Sequence, residues 1–148
     1  RFIELASEIN TSMPRYVVTL VMNALNDDGR ALKGCKIAVL GMAYKADVGD
    51  LRESPSLKLL ELLRAEGGRV SYHDPHVASL PAEGLSSVPL DAATLAAADC
   101  VVIATAHAAL DLALVVAQAD LVVDLRNAVR QRLSGGASGS VPPNVDVL

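Results

Sequence analysis

The feature that most constrains this fold is the alternation of short apolar runs with helical patterns between residues 35 and 133. The apolar runs KIAVLG, RVSYHDP, CVVIATAH and LVVDLRN indicate strands, and the continuous apolar KIAVLG suits a strand covered on both faces. The helical patterns SPSLKLLELLRAEGG, LDAATLAAADC and LDLALVVAQAD stand between them. Strands that alternate with helices pair in parallel through right-handed crossovers. The sequence therefore predicts an α/β fold, a Rossmann-like three-layer domain with a parallel sheet.

The first of these helices has clear boundary residues. Ser54 stands at the N-cap position, Pro55 occupies the first turn, and Gly67 follows as a C-terminal stop. The predicted inner face of this helix consists of Ser56, Leu59, Leu60 and Leu63.

Residues 1–34 have a different pattern and are predicted to be the end of a central helical (dimerisation) domain. Thr11 or Ser12 is the expected cap of this helix, Pro14 lies in its first turn, and NDDG at 26–29 closes it. The helix carries two sides, one with Tyr16, Leu20 and Asn23 and the other with Val17, Val21 and Leu25. So apolar a helix is expected to pack on a neighbouring domain or a second chain. The first residue is Arg rather than Met, which suggests a piece of a longer protein.

Residues 134–148 are predicted to form a flexible tail, because the stretch LSGGASGSVPPNVDVL is small, polar and rich in Gly and Pro.

Composition excludes several classes of function. The net charge is -4 and no basic stripe occurs, which argues against nucleic acid as a partner. No apolar run approaches the ~18 residues of a membrane span, and no signal peptide opens the sequence. Cys35 and Cys100 lack metal-site spacing and lie beside apolar strands, so we expect small buried side chains in a reducing, cytoplasmic setting.

Any ligand site is expected at the carboxyl ends of the parallel strands. The segments there are residues 41–54, 73–77, 105–107 and 126–127. The first is too long and too poor in glycine for a compact dinucleotide turn. It carries Lys45 and Arg52, which can meet phosphate charge near a helix start. The alternative is that Arg52 pairs with a neighbouring acid, namely Asp47, Asp50 or Glu53.

The stretch VLGMAYKADVGDLRESPSLKLLELL, followed by VSYHDPHV, resembles the C-terminal, UDP-binding domain of the UDP-glucose/GDP-mannose dehydrogenase family of nucleotide-sugar 6-dehydrogenases. The specific pattern G-x-A-[YF]-K-x-[DN]-x-x-D-x-R-E-S-P is complete from Gly41 to Pro55. The resemblance covers about residues 1–130. YHDPHV and AYKADVGDLRESP are most similar to enzymes that act on UDP-N-acetylhexosamines such as UDP-N-acetylglucosamine, with UDP-glucose and GDP-mannose left open.

The resemblance implies a full-length enzyme that oxidises the sugar C6 alcohol to a carboxylate and passes hydride to NAD. By the same resemblance, Tyr44 and Lys45 contact the nucleotide-sugar and Arg52 reaches NAD across a cleft. The NAD-binding fingerprint and the catalytic cysteine segment of the family are both missing from this sequence, so this chain alone is expected to be inactive. A cytoplasmic homo-oligomer that serves polysaccharide biosynthesis is the implied setting.

Three further sets of residues have open roles. Arg126 follows the fourth strand and either contacts the uridine or diphosphate or forms a surface ion pair. Asp74 ends the second strand, where Rossmann folds place a ribose-binding acid, but a helix-cap or turn role before Pro75 is at least as well supported. His73, His76 and His107 are spaced too widely for a metal site to be expected.

Two other functions fit the sequence. One is a free-standing nucleotide-binding module with a regulatory role. The other is an oligomerisation unit in which residues 1–30 contribute a helix to an interface.

Overall fold

The computed structural model describes residues 2–43, 51, 54–133 and 140–147, with the backbone alone for residues 2–12. The helices are α1 (Phe2–Asp27), α2 (Pro55–Ala65), α3 (Ala92–Ala97), α4 (Leu112–Gln118) and α5 (Ala128–Leu133). The strands are β1 (Lys36–Leu40), β2 (Arg69–His73), β3 (Ser79–Leu80), β4 (Leu85–Ser86), β5 (Cys100–Ile103), β6 (Val122–Asp124) and β7 (Val145–Val147). The four strands and four helices that the sequence predicts are all present.

The main sheet has five strands in the order β2-β1-β5-β6-β7, and every neighbouring pair is parallel. The register of β1 places Ile37 beside Val70 of β2 and Cys100 of β5. Residues 37–40 are buried, as the continuous apolar run requires for a strand covered on both faces. The predicted Rossmann-like parallel sheet is confirmed.

Two hydrophobic cores lie on opposite faces of the sheet and complete the three layers. Val39 of β1 contributes to the core shared with α1 and α2. Leu40, its neighbour in sequence, contributes to the core shared with α3, α4 and α5. Each such fully buried side chain stabilises the fold by ~1.5–3 kcal/mol. The predicted inner face of α2 is confirmed, since its buried residues are Ser56, Leu59, Leu60 and Leu63.

Helix α1 begins earlier than the sequence predicts. It runs from Phe2 through Pro14, which lies inside the helix rather than in its first turn, so the predicted cap at Thr11 or Ser12 is wrong. The helical spacing continues upstream of these residues, and the one backbone N–H that Pro14 lacks is not enough to end the helix there. The end at Asp27 agrees with the NDDG signal. The division of domains at residues 34 and 35 stays a prediction.

The two predicted sides of α1 have different environments. The side with Val17, Val21 and Leu25 is buried against the domain. On the other side, Tyr16 is 52% exposed, and Met22, elsewhere on the surface of the helix, is 37% exposed. One side of the helix therefore belongs to the core of the sheet domain, while Tyr16 and Met22 stand among polar residues on its exposed surface.

The predicted flexible tail is wrong for residues 145–147. These residues form β7, which pairs with β6 and covers what would otherwise be an open edge. Asn144 orders the entry to this strand, because its Nδ2 donates hydrogen bonds to the carbonyls of Val116 and Ala119 at the end of α4. A strand of three residues is too short for a periodic pattern to predict it. Residues 134–139 lie outside the described part of the chain.

Within the described residues, no helix combines the length and apolar character that crossing a membrane requires.

The turn after β1 needs glycine for two reasons. Gly41 has φ +91°, a conformation that strains other residues. A Cβ at this position would also meet the carbonyl oxygen of Thr105 and lie 2.5 Å from its Cβ. The ends of β1 and β5 can approach this closely only without a side chain between them.

Gly41→Ala is therefore expected to lower the free energy of unfolding by about 2–4 kcal/mol, from strain and from the clash together. Gly29→Ala is the matched control, since Gly29 also has positive φ but its added Cβ would have nothing within 4 Å. Urea unfolding followed by circular dichroism measures both losses. Equal losses in the two variants would show that the contact with Thr105 contributes nothing.

Candidate functional site

The carboxyl ends of the parallel strands β1, β2, β5 and β6 lie along one edge of the sheet. Of the residues that the sequence predicts to bind ligand, the structure describes Arg126, and this residue lies at the same edge. Tyr44, Lys45 and Arg52 lie outside the described residues, and their roles stay predictions. The described part of the edge shows how the segment that carries them is held at both ends.

The carboxylate of Asp74 is the centre of this edge. Its Oδ2 accepts hydrogen bonds from the backbone N–H groups of Met42 (2.7 Å) and Ala43 (3.1 Å) and lies 3.0 Å from Nε2 of His107. Its Oδ1 accepts the N–H of His76 at 2.8 Å. The side chain of Asp74 is 0% exposed. One buried carboxylate therefore joins the ends of β1, β2 and β5.

The charge state of Asp74 follows from these contacts. Burial raises the pKa of Asp74, but the hydrogen bonds from Met42, His107, His76 and Ala43 outweigh burial and hold this pKa below its usual value. An ionised carboxylate only accepts hydrogen bonds, so Nε2 of His107 donates. The turn role predicted for Asp74 is confirmed. Both of its oxygens already accept hydrogen bonds within the protein, so the ribose-binding role is not supported.

The carbonyls of the same two loop residues are fixed as well. The hydroxyl of Ser54 donates to the carbonyl of Met42 at 2.6 Å, and the hydroxyl of Thr105 donates to the carbonyl of Ala43 at 2.7 Å. Ser54 holds the N-cap position of α2 as predicted, yet its side chain makes no cap hydrogen bond because it serves Met42 instead. The chain before residue 44 is thus tied to the chain after residue 53.

This arrangement does not fit the pyrophosphate of NAD at the turn after β1. In a dinucleotide-binding turn the backbone N–H groups at this place face the ligand phosphates. Here the N–H groups of Met42 and Ala43 donate to Asp74, and the carboxylate charge would repel a phosphate. The described part of this chain therefore supplies no pyrophosphate site of the usual Rossmann type.

Arg126 lies beyond the end of β6 with part of its guanidinium engaged. Its Nε donates to the carbonyl of Ala104 at 2.7 Å, and its backbone N–H donates to Oδ1 of Asp124 at 3.0 Å. Asp124 is buried and its Oδ2 also accepts the N–H of Val129, which fixes this turn. Among the described residues, no acidic side chain lies within 4.0 Å of the Arg126 guanidinium. Its role toward a ligand stays a prediction.

Asn127, next to Arg126, has two unusual features that the sequence did not reveal. Its φ is +55°, and its Oδ1 is buried with no hydrogen-bond partner in the described part of the chain. Strained backbone and unpaired buried polar atoms concentrate at functional sites. A donor group of a ligand at this edge would satisfy this oxygen.

Arg132 of α5 holds the segment that follows β5. The guanidinium of Arg132 donates to the carbonyls of Ala106 (2.8 Å) and His107 (3.0 Å). The ring of His107 also packs on the ring of His76, with 4.7 Å between centroids. These contacts fix the imidazole that donates to Asp74.

The histidines and cysteines have structural contacts. Nδ1 of His73 lies 2.7 Å from the carbonyl oxygen of Val88, and the described residues contain no group of three or more side chains that could hold a metal. Burial raises the pKa of the Cys100 thiol to about 12. Burial, followed by the charge of Asp99, also raises the pKa of Cys35. Both cysteines are buried, which confirms the prediction of small buried side chains. Because the thiolate is the nucleophilic form, a raised pKa disfavours a nucleophilic role for either thiol.

The fold and the edge define a Rossmann-like ligand-binding domain whose first turn is closed by its own carboxylate. A sequence profile of the UDP-glucose/GDP-mannose dehydrogenase family, UDP binding domain, matches residues 38–131. The match covers more than half of the chain, so the chain belongs to this family, in its UDP-binding domain.

Individual relatives agree with this membership. The UDP-N-acetyl-D-mannosamine dehydrogenase of Methanococcus maripaludis is 39% identical over 107 residues, which are 72% of this chain and 24% of the relative. The NDP-N-acetyl-D-galactosaminuronic acid dehydrogenase of Ralstonia nicotianae is 36% identical over 110 residues, 72% of this chain and 25% of the relative. The chain spans about a quarter of the length of these relatives.

Solved structures give the same result for the fold. The UDP-D-ManNAc dehydrogenase of Pyrococcus horikoshii superimposes with a TM-score of 0.72 at 28% identity, over 90% of this chain and 31% of that chain. The UDP-N-acetyl-mannosamine dehydrogenase of Staphylococcus aureus gives a TM-score of 0.66 at 31% identity, over 95% of this chain and 31% of that chain.

Asp74→Asn is expected to change how stability depends on pH. The folded-state pKa of Asp74 is depressed, so its stabilisation is present above the unfolded-state pKa of ~3.9 and is lost as pH falls through the folded-state value. At neutral pH the variant should lose about 2–4 kcal/mol of unfolding free energy, since an amide cannot accept all these donors. Below pH ~4 the wild type should lose more stability with falling pH than the variant does.

Urea unfolding measured from about pH 2 to about pH 7, a range that spans the titration of carboxyl groups, tests this difference. Asp91→Asn is the control, because Asp91 accepts the N–H of Thr94 at the start of α3 on the protein surface. Asn caps helices as well as Asp does, so this variant should stay near wild type at neutral pH. The same acid dependence in wild type and Asp74→Asn would contradict the depressed pKa.

Proposed function

We propose that this chain is the nucleotide-sugar-binding part of a longer NAD-dependent dehydrogenase that oxidises the C6 alcohol of a UDP-sugar to a carboxylate. The match of residues 38–131 to the family's UDP-binding domain carries this proposal. The position of Arg126 at the carboxyl edge of the sheet supports it, because ligands of parallel α/β sheets bind at this edge.

The binding roles proposed for Tyr44 and Lys45 rest on the resemblance to the family, and that of Arg126 rests on its charge and position. Lys45 meets the diphosphate as a point charge, and Tyr44 beside it offers a ring and a hydroxyl to the nucleotide-sugar. The terminal nitrogens of Arg126 donate to the uridine or diphosphate from beyond the end of β6. This chain contributes substrate binding rather than a reacting group, and both described cysteines are buried.

NAD is proposed to bind mainly to a part of the longer enzyme outside this chain. The turn after β1 does not fit its pyrophosphate, since Asp74 accepts the N–H groups there. Arg52 is the residue of this chain that is proposed to reach NAD, across the cleft between the two parts. In the whole enzyme NAD supplies the acceptor for hydride.

The proposed substrate is a UDP-N-acetylhexosamine. The relatives are named for UDP-N-acetyl-D-mannosamine and for NDP-N-acetyl-D-galactosaminuronic acid, which favours an N-acetylated sugar over UDP-glucose or GDP-mannose. The full-length protein is proposed to be a cytoplasmic enzyme of polysaccharide biosynthesis, because oxidised nucleotide-sugars suit that use. Activity of the full-length enzyme against a panel of UDP- and GDP-sugars with NAD tests the substrate class.

A contribution to assembly is the second proposed role, and it concerns α1. Its outer side exposes Tyr16 and Met22 while its inner side is buried in the domain. Two large exposed apolar side chains on a helix that is packed onto the domain suit an interface with another part of the longer protein or with a second copy. The homo-oligomer proposed for the full-length enzyme would use this side.

Lys45→Ala and Arg126→Ala are each expected to weaken binding of UDP by about 5- to 100-fold, because each removes one charge-assisted contact of ~1–3 kcal/mol. Calorimetry or chemical-shift titration with UDP measures this change. Lys58→Ala is the control for the first variant, since Lys58 lies on the exposed side of α2 and pairs with Glu61. Arg69→Ala is the control for the second, because Arg69 lies at the opposite end of β2. Equal binding by Lys45→Ala and wild type would refute the role of Lys45.

Arg52→Ala in the full-length enzyme is expected to raise the KM for NAD more than the KM for the UDP-sugar, because the guanidinium is proposed to contact the cofactor. Steady-state kinetics with each substrate varied in turn measures the two values. Arg126→Ala is the matched variant, and it should raise the KM for the UDP-sugar more than the KM for NAD. An unchanged KM for NAD in Arg52→Ala would favour the alternative in which Arg52 pairs with a neighbouring acid.

A further inference from the structure

We propose that Arg132 of α5 and Arg126 form one anion-binding site along residues 104–107, and that this site takes the diphosphate of the nucleotide-sugar. Arg132 is then a substrate-binding residue, although the sequence does not single it out as one. The inference rests on the proposed function, because it assigns the diphosphate of the proposed UDP-sugar to these two side chains.

The two guanidinium groups bind the same short segment, which follows β5 at the carboxyl edge of the sheet. Nε of Arg126 donates to the carbonyl of Ala104 at 2.7 Å. The two terminal nitrogens of Arg132 donate to the carbonyls of Ala106 (2.8 Å) and His107 (3.0 Å). An extended chain advances by ~7 Å over two residues, so the carbonyls of Ala104 and Ala106 are close neighbours. Two cations from different parts of the chain therefore converge on one stretch of the edge.

These two cations lack the acidic partner that another carbonyl-bound arginine has. Arg64 donates to the backbone carbonyl of Glu83 at 3.1 Å and also to the carboxylate of Glu83 at 3.2 Å. Within the part of the chain that the structure describes, no acidic side chain lies within 4.0 Å of the guanidinium of Arg126 or Arg132. Like charges that are held close together on neutral carbonyls repel each other, and a bound anion removes that repulsion.

The buried carboxylates of this edge do not neutralise the two arginines. Asp124 is buried, and its oxygens accept the backbone N–H groups of Arg126 and Val129. Asp74 is also buried, and its oxygens accept backbone N–H groups and Nε2 of His107. Both carboxylates thus serve the turns of the protein, and the guanidinium groups remain for a ligand.

The donors that remain on these side chains suit a diphosphate. A guanidinium has five N–H groups in a planar fork that matches the oxygens of a phosphate. Arg126 uses its Nε for Ala104, and each terminal nitrogen of Arg132 uses one of its two N–H groups for a carbonyl. Both residues are exposed, so a ligand can reach them. Because the carbonyls already hold both side chains in place, little rotamer freedom is lost when an anion binds.

The connection between the two arginines carries an independent sign of a ligand. Asn127 has φ +55°, and its buried Oδ1 has no hydrogen-bond partner among the described residues. Backbone strain and unpaired buried oxygens cost stability and are typical of functional sites. A diphosphate alone offers mainly acceptors, whereas a nucleotide also has donors in its ribose hydroxyls and in the imide N–H of uracil. The unpaired oxygen therefore favours a nucleotide diphosphate over an inorganic anion.

The test compares the binding of UDP, pyrophosphate and uridine by wild type and Arg132→Gln, each at a temperature where circular dichroism shows it folded. Glutamine retains N–H donors for the carbonyls after β5 but has no charge. We expect Arg132→Gln to bind UDP and pyrophosphate about 5- to 20-fold more weakly, because a charge-assisted contact is lost. Uridine has no phosphate, so its affinity should not change. Chemical-shift titration measures all three affinities.

Arg64→Gln is the matched control, since Arg64 also donates to a backbone carbonyl but is paired with Glu83. This variant should bind all three ligands like wild type, and Arg132→Lys, which keeps the charge, should bind UDP more tightly than Arg132→Gln does. Unchanged UDP affinity in folded Arg132→Gln would overturn the inference and leave the proposed function intact. An equal loss for UDP and uridine would also overturn it, because Arg132 would then only support the backbone. Failure of wild type to bind either UDP or a UDP-sugar would refute the proposed function itself.

A measurement on the wild type decides the question even if no Arg132 variant folds. The side-chain N–H resonances of Arg126 and Arg132 should shift when UDP is added, and those of Arg64 should not. Resonances of Arg132 that stay in place at saturating UDP would contradict a contact with the diphosphate.

Discussion

The hydrogen bonds to the carboxylate of Asp74 are the interaction on which this binding edge depends. Strands of four or five residues such as β1, β2 and β5 are too short to fix the loops that follow them by pairing alone. A buried charge with four N–H donors does so, because leaving any of those donors unpaired would be costly. The cost of burying the charge is more than offset, as the lowered pKa of Asp74 shows.

The same interaction separates this domain from the dinucleotide-binding domains that share its topology. In those domains the backbone after the first strand is left free for a phosphate, and glycines keep it accessible. Here Gly41 serves a different purpose, since it lets the ends of β1 and β5 approach while the following N–H groups turn inward to Asp74. A sheet of this class can therefore offer its edge to a ligand through long side chains, which vary more readily than a backbone turn.

The sequence predicted those parts of the fold that repeat a pattern and missed those that depend on single contacts. The strands and the inner face of α2 could be predicted from apolar periodicity. β7 could not, because three residues owe their place to the open edge of β6 and to Asn144. The contacts of Asp74 with His107 join residues 33 positions apart, which no local pattern encodes. The roles of Tyr44, Lys45 and Arg52 came from the resemblance, since charge and position left an ion pair equally open for Arg52.

The core that α1 shares with α2 makes the second half of α1 part of the sheet domain. Val21 and Leu25 pack in the same cluster as Leu60 and Leu63, so the second half of α1 and the sheet turn together as one rigid body. A hinge in the connection after α1 would have to open this close-packed core. Any movement of this domain relative to a part that precedes it would therefore arise upstream of Val17, and the second half of α1 would move together with the sheet.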